Sequence, residues 1–192
     1  MSVMETESGE QAGAAEPGGW LVLVYRVPSE PSRLRAAVWR RLKSLGAIYL
    51  QNSVAALPAS VTAERALRRL RSEILDMSGT AALLSASVLA GEQEVRAAFQ
   101  AARDDEYEEI VDKCEDFLAE VKKEYTANHF TYAELEENEV DLVKLRTWLE
   151  RVRQRDVFGA TGRRAADKWL AECEQALESY AERVYAEEAE SR

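Results

Sequence analysis

The chain has 192 residues, 46% of them hydrophobic and 31% charged, a composition that excludes disorder over the whole length. No apolar run approaches the roughly 20 residues that cross a bilayer, and the amino terminus lacks a signal-peptide pattern. We therefore expect a cytoplasmic protein with no membrane contact. The net charge of −10 would argue against nucleic acid only if it were evenly distributed.

The charge is in fact divided into segments of opposite sign. Residues 1–18 contain four Glu and no Lys or Arg, whereas residues 19–90 contain ten Lys/Arg against four Asp/Glu. Residues 91–192 contain the other 15 Lys/Arg and 27 Asp/Glu. A basic segment therefore lies between two acidic ones, and binding to a polyanion is not excluded.

The amino-terminal half begins with a tail and then changes character. Residues 1–19 are rich in Glu, Gly, Ala and Ser without apolar periodicity, which predicts a disordered tail. The apolar run from Trp20 to Tyr25 predicts a strand buried on both faces. Helical spacing then predicts a first amphipathic helix with Gly46 as its C-cap. Its apolar stripe is formed by Leu34, Val38, Leu42 and Leu45.

Two short strands and a second helix follow. Residues 47–51 and 53–57 are predicted to form the strands, and Thr62 is a predicted N-cap of the helix. The helix has an apolar stripe formed by Ala66, Leu67, Leu70, Ile74 and Leu75. Residues 80–90 supply one more apolar strand. The order β, α, β, β, α, β predicts a ferredoxin-like domain over residues 20–90.

The remaining residues, 91–192, are predicted to form an acidic domain of about three antiparallel helices. The first has an apolar stripe that includes Val95, Phe99, Ile110, Cys114, Phe117 and Val121. The second begins after Thr131, which forms a capping box with Glu134, and Gly159 and Gly162 end it. The expected fold class is therefore α+β, a ferredoxin-like domain followed by helices.

Basic residues cluster on the two amino-terminal helices and form a candidate DNA-binding surface. Its residues are Arg33, Arg35, Arg40, Arg41, Lys43, Arg65, Arg68 and Arg69. Neighbouring helices on one side of a sheet would merge their exposed sides into one phosphate-binding surface. A solvated surface, or ion pairing with the acidic helices, is the alternative. No helix-turn-helix with a short recognition helix is visible, so the residues do not support sequence-specific base readout.

Several segments resemble the amino-terminal domain of ChrB, the chromate-resistance regulator. They are residues 20–28, 35–42, 45–54, 134–139 and 155–160. The resemblance implies a bacterial protein that controls chromate-efflux genes, with DNA binding relieved when chromate is present. Longer ChrB proteins continue into a further domain that lies outside this sequence, which leaves open whether a separate partner supplies it.

More distantly, the βαββαβ part resembles the central domain of the phenylacetate repressor PaaX and small CRISPR-associated nucleases. Those nucleases place an Asp at the end of the first strand, where two chains pair around a metal ion. This chain has Tyr25-Arg26-Val27 there, and a cation would repel the metal. We therefore expect no enzyme activity, and a homodimer is one assembly that we expect.

A chromate sensor needs arginines or a helix N-terminus, because chromate is a tetrahedral dianion. Arg153, Arg155, Arg163 and Arg164 surround the predicted break near Gly159 and are the candidate oxyanion site. The alternative is a set of cations that complement a helix C-terminus.

Neither a cofactor nor a metal ion is expected. The single histidine, His129, is at a predicted helix boundary, where a surface or capping role is the default interpretation, and one histidine forms no metal cage by itself. Cys114 and Cys173 fall on apolar stripes, so packing is the default role and redox sensing the alternative.

The hypothesis from the sequence is a non-enzymatic regulator of chromate resistance. It would bind DNA or a DNA-bound partner through the basic helices and respond to chromate or a similar oxyanion. The alternative is a protein-interaction module that docks a partner through its acidic helices and makes no direct contact with DNA.

Overall fold

The computed structural model describes residues 19–190, so the predicted tail lies outside the described residues except for Gly19. Four strands and five helices are present in the described chain. In order they are β1 (Trp20–Arg26), α1 (Ser32–Leu45), β2 (Ile48–Gln51), β3 (Val54–Pro58), α2 (Val61–Asp76), β4 (Thr80–Ala86), α3 (Glu92–Ala127), α4 (Tyr132–Arg155) and α5 (Arg163–Glu190). The predicted mixed α+β class is confirmed.

The four strands form one antiparallel sheet in the order β2-β3-β1-β4. In the central strand β1, Leu23 is fully buried and lies between Ala55 of β3 and Leu83 of β4. The predicted burial on both faces is wrong for the second half of β1, where Val24 is 41% exposed. Val24 lies on the same face as Trp20, and Phe99 and Phe158 cover that face only near Trp20.

Strand β4 is shorter than the sequence predicts. It ends at Ala86 instead of continuing to Ala90. Ala86 is the register partner of Trp20, which is the first residue of β1. Beyond that point β1 offers no backbone to pair with, so the apolar residues that follow leave the sheet, and Leu89 is 97% exposed.

The helix caps show which local predictions succeed. Gly46 ends α1 in the left-handed conformation at φ +77°, as predicted. Thr131 is the N-cap of α4, and its hydroxyl accepts a hydrogen bond from the Glu134 amide at 3.3 Å, which is one of the two hydrogen bonds of the predicted capping box. The predicted N-cap of α2, Thr62, is wrong. Ser60 is the N-cap, with extended backbone and a 3.1 Å hydrogen bond from the Ala63 amide, because the helix already begins at Val61.

Two clusters of buried side chains stabilise the chain. One is formed among α3, α4 and α5, and the other fills the space between the sheet, α1 and α2. Phe99 of α3 belongs to the sheet-side cluster and contacts Trp20 and Phe158 with ring centroids 6.0 and 5.4 Å away. The long helix α3 therefore contributes to both clusters, and residues on both sides of the predicted boundary at residues 90 and 91 share one core.

Candidate functional site

The eight predicted DNA-binding residues all lie on α1 and α2, which pack against each other, and all eight are exposed. We call them the basic surface. Two of them have partners: Lys43 lies 3.9 Å from Glu109, and Arg68 forms an ion pair with Glu64 at 2.6 Å. The others have no ion-pair or hydrogen-bond partner within residues 19–190. They are Arg33, Arg35, Arg40, Arg41, Arg65 and Arg69.

The predicted ion pairing between the basic surface and the acidic helices is therefore limited to one long contact in the described chain, that of Lys43 with Glu109. The same lysine lies 5.7 Å from the ring centre of Trp39, which is 50% exposed. The exposed indole is suited to stacking on a nucleic-acid base, and the unpaired guanidinium groups of the same surface are suited to binding phosphates.

The candidate oxyanion residues flank the turn between α4 and α5 but differ in their partners. Arg153 binds Asp167 at 2.7 Å and lies 3.6 Å from Glu150, and the Asp167 carboxylate raises the pKa of Arg153. Arg163 and Arg164 are exposed in the first turn of α5 and have no ion-pair or hydrogen-bond partner among the described residues.

The fourth candidate, Arg155, faces the other direction and connects the turn to α1. It donates one hydrogen bond to the Ser44 carbonyl at 2.7 Å and another to Glu106 at 2.9 Å. Its Nε atom is buried without a hydrogen-bond partner. Arg155 also lines a cleft of about 340 Å³ between the end of α4 and the start of α2, together with Arg151 and Gln154. The four predicted residues thus do not converge on one point.

The N-terminus of α5 already faces a carboxylate of the chain. Asp104 of α3 accepts a 2.7 Å hydrogen bond from the Gly162 amide and lies 3.3 Å from the Thr161 hydroxyl. A Cβ atom at Gly162 would lie 3.0 Å from Tyr107 Cβ, so the glycine permits this close approach of α3. Asp104 therefore occupies the position in which an external anion would meet the helix N-terminus.

A buried charged cluster lies where α3 and α4 meet the end of α1, and sequence reasoning missed it. Arg103 is only 3% exposed, its Nε lies 2.9 Å from Glu106 Oε2, and its Nη1 donates to the Gly46 carbonyl at 2.9 Å. The Arg103–Glu106 contact is an ion pair and not an aligned hydrogen bond. We call Arg103, Glu106 and Arg155, with the two carbonyls that they bind, the junction network.

Burial governs the electrostatics of the junction network. It lowers the pKa of the Arg103 guanidinium, and the negative charge of Glu106 acts in the opposite direction. The guanidinium also lies 4.8 Å from the ring centre of Phe99. A signal for this cluster was present in the sequence, because Arg103 and Glu106 continue the helical stripe between Phe99 and Ile110 at spacings of four, three and four.

The turn itself is organised by Asp156, which lies in a segment that resembles ChrB. Asp156 is 8% exposed, and its two carboxylate oxygens accept hydrogen bonds from the Tyr107 hydroxyl at 3.1 Å and the Ala160 amide at 2.9 Å. Burial, followed by the charge of Asp156, raises the pKa of Tyr107, so this hydroxyl remains a donor at neutral pH.

We expect Asp156→Ala to lower the free energy of unfolding by about 2 kcal/mol, because it leaves a buried hydroxyl and a buried amide without an acceptor. Urea unfolding followed by circular dichroism measures the change. Tyr107→Phe, which removes the donor and leaves Asp156 bonded to Ala160, should cost about 1 kcal/mol. Equal stability of the two variants would contradict this role for Asp156.

The remaining candidates lie within the helices or next to a helix end. Cys114 and Cys173 are both fully buried, and Cys173 Sγ lies 3.5 Å from the Cys114 carbonyl. Hydrogen bonding with Cys114 and burial raise the pKa of Cys173, which disfavours the reactive thiolate. His129 follows the end of α3, and its Nδ1 atom lies 2.7 Å from Glu124.

The sequence was compared with families of known proteins. The family described as "Protein ChrB, N-terminal" matches residues 35–191, well over half of the chain. The chain belongs to this family. The match begins within α1, so it includes every residue of the basic surface except Arg33, and it covers α2, α3, α4 and α5 completely. Family membership indicates a chromate-resistance protein.

Two further findings are negative. No curated protein matches the sequence significantly. Within residues 19–190, none of the helices combines the length and the apolar character that crossing a membrane requires. The functional assignment therefore depends on the family and on the surfaces described above.

Proposed function

We propose that the chain is a non-enzymatic cytoplasmic component of transcriptional regulation in chromate resistance, whose ferredoxin-like amino-terminal part contacts DNA. The observation that supports it is the basic surface, in which six exposed arginines have no partner among the described residues. Because these guanidinium groups are unpaired, binding a phosphate does not require an internal ion pair to be broken. The acidic net charge of the chain would weaken such binding, and the phosphates that the arginines neutralise would make it dependent on salt.

The proposed response to an oxyanion uses the turn between α4 and α5. A chromate dianion there would meet the exposed Arg163 and Arg164 and compete with Asp167 for Arg153. Arg155 faces α1 and would respond only to the resulting shift of the turn. Because Arg155 binds both Glu106 and the Ser44 carbonyl, a shift of the turn that breaks these contacts would loosen the end of α1, the helix that carries five of the eight residues of the basic surface. This connection gives oxyanion binding a physical route to DNA affinity.

The test of DNA binding is fluorescence anisotropy with the DNA upstream of the gene at low salt. A variant with Arg40, Arg41, Arg65 and Arg69 all changed to Ala should bind at least about tenfold more weakly. The slope of log affinity against log salt concentration should also become shallower, by up to about 0.9 for each phosphate that the protein no longer neutralises. The matched control changes four exposed lysines of the acidic helices to Ala. They are Lys113, Lys122, Lys144 and Lys168.

Both variants remove four positive charges, so a nonspecific effect of net charge would weaken them equally. Unchanged binding by the arginine variant would refute the basic surface as the interface. If the wild-type chain fails to bind DNA at low salt, the interaction-module alternative is favoured. For the oxyanion response, chromate should weaken DNA binding by the wild type, and Arg163→Ala with Arg164→Ala should abolish that effect while DNA is still bound.

A further inference from the structure

A cluster of potential metal ligands lies where α3 turns into α4, far along the chain from the basic surface. Glu124, His129 and Glu134 each offer one potential ligand atom, and these three atoms lie within 4.8 Å of one another. Glu124 is in the last turn of α3 and Glu134 is in the first turn of α4. His129 lies between the helices, with Nδ1 2.7 Å from Glu124 Oε2.

Backbone and side-chain contacts fix the position of these three residues. The His129 amide donates to the Glu124 carbonyl at 3.0 Å, and the Tyr180 hydroxyl of α5 donates to the His129 carbonyl at 2.7 Å. The Glu134 amide is bound by the Thr131 cap. The cluster is therefore built on two helix ends and a short connection whose conformation a third helix supports, which favours preorganised ligands.

The electrostatics of the cluster favour a cation. The Glu124 side chain is only 9% exposed and lies at the negative end of α3, whose last turn contains no basic residue. Glu134 adds a second carboxylate. The nearby Lys123 forms an ion pair with Glu120 at 2.7 Å, and Glu124 Oε1 has no hydrogen-bond partner within the described part of the chain. A bound cation would stabilise this largely buried carboxylate through the oxygen that His129 does not contact.

The cluster is also accessible. Its three residues line a groove of about 740 Å³ between α3 and α4, so an ion and a water ligand can enter. One imidazole nitrogen and two carboxylate oxygens, with water in the fourth position, are the ligand types of a tetrahedral zinc site. Because these atoms lie up to 4.8 Å apart, side-chain rotations would have to bring them closer to reach bonds of about 2.0–2.2 Å. The two carboxylates would also neutralise the charge of a divalent ion.

We propose that Glu124, His129 and Glu134 bind a divalent transition-metal ion of the Zn²⁺ type, with solvent as the fourth ligand. Binding requires a neutral imidazole, so the ion displaces any proton shared between His129 and Glu124. The ion would join the end of α3 to the start of α4. The proposal does not depend on DNA or chromate binding.

The experiment uses the full chain after chelator treatment and removal of the chelator. Titration calorimetry with Zn²⁺ should show one ion per chain, and Co²⁺ should give the visible absorption of a tetrahedral site with imidazole and carboxylate ligands. Glu124→Gln, His129→Gln and Glu134→Gln preserve side-chain size, and each should weaken Zn²⁺ binding at least about tenfold. Glu137→Gln, in the same groove but outside the cluster, is the matched control and should leave binding unchanged.

Three results would overturn the proposal: no Zn²⁺ binding at one equivalent, retention of binding in all three cluster variants, or equal weakening in the Glu137→Gln control. The second and third would indicate adventitious binding to surface carboxylates. If Glu124→Gln fails to fold by circular dichroism, His129→Gln still decides the matter, because the His129 side chain is 51% exposed and its replacement leaves the helical core unchanged.

Discussion

Glu106→Gln should lower the free energy of unfolding by about 3–5 kcal/mol, the usual cost of breaking a buried ion pair from one side. Glu106 is the carboxylate that both Arg103 and Arg155 contact, at 2.9 Å in each case. Its replacement leaves two neighbouring guanidinium groups, one of them 3% exposed, without that negative charge. Glutamine has nearly the same shape, so a cavity contributes little. The shift of the urea midpoint measures the effect.

Two variants check the cause of that destabilisation. Glu109→Gln removes a carboxylate from the same helix at an exposed position, 3.9 Å from Lys43, and should change stability by less than about 0.5 kcal/mol. Arg103→Met combined with Glu106→Gln removes the buried ion pair as a unit and should recover part of the stability. A double variant that is instead less stable than Glu106→Gln, by as much as Arg103→Met alone destabilises the wild type, would show that the two charges act independently.

Gly46→Ala is the second change with a large expected effect, about 3 kcal/mol. Gly46 has φ +77°, where an L side chain costs about 1 kcal/mol or more. The new Cβ would also collide with the Arg103 guanidinium and lie 2.8 Å from Arg155 Cδ. Because Arg103 is buried and bonded to the Gly46 carbonyl, it cannot move aside without breaking the junction network.

Gly159→Ala separates the two contributions. Gly159 has φ +70°, but a Cβ there would meet no atom within 4 Å. This variant should therefore be destabilised by only about 1 kcal/mol, the conformational part of the effect. Thermal or urea unfolding of both variants provides the comparison, and equal destabilisation would mean that the collision with Arg103 and Arg155 contributes nothing at Gly46.

Glu106→Gln and Gly46→Ala, the two variants that disturb the junction network, also bear on the proposed regulation. The junction network binds the carbonyls of Ser44 and Gly46 at the end of α1, and α1 carries five of the eight residues of the basic surface. If the network transmits an oxyanion signal from the turn to α1, a folded network variant should bind DNA with a reduced response to chromate. A variant that keeps the full response would exclude the network as the route.

Local sequence patterns predicted most of the elements, but they failed where the outcome depended on a neighbour. The strand that begins at Trp20 and the Gly46 cap of α1 were predicted from the sequence because each depends on residues within one element or turn. The length of β4 was wrong because it depends on where β1 begins. The candidate oxyanion arginines were identified by proximity in sequence, whereas the direction of each side chain depends on Glu106 and Asp167.

The sequence by itself determined the order of local elements, the separation of basic and acidic halves, and the resemblance to ChrB that the family match confirms. Only the tertiary structure decided which charges meet. Arg155 is 49 residues from Glu106, and the Gly162 amide is 58 residues from its acceptor, Asp104. Helical periodicity specifies which face of a helix is apolar, but not which residue of another helix lies opposite a given side chain. The junction network therefore becomes visible only once α3 and α4 are packed against each other and against the end of α1, and the candidate metal cluster only once the end of α3 meets the start of α4.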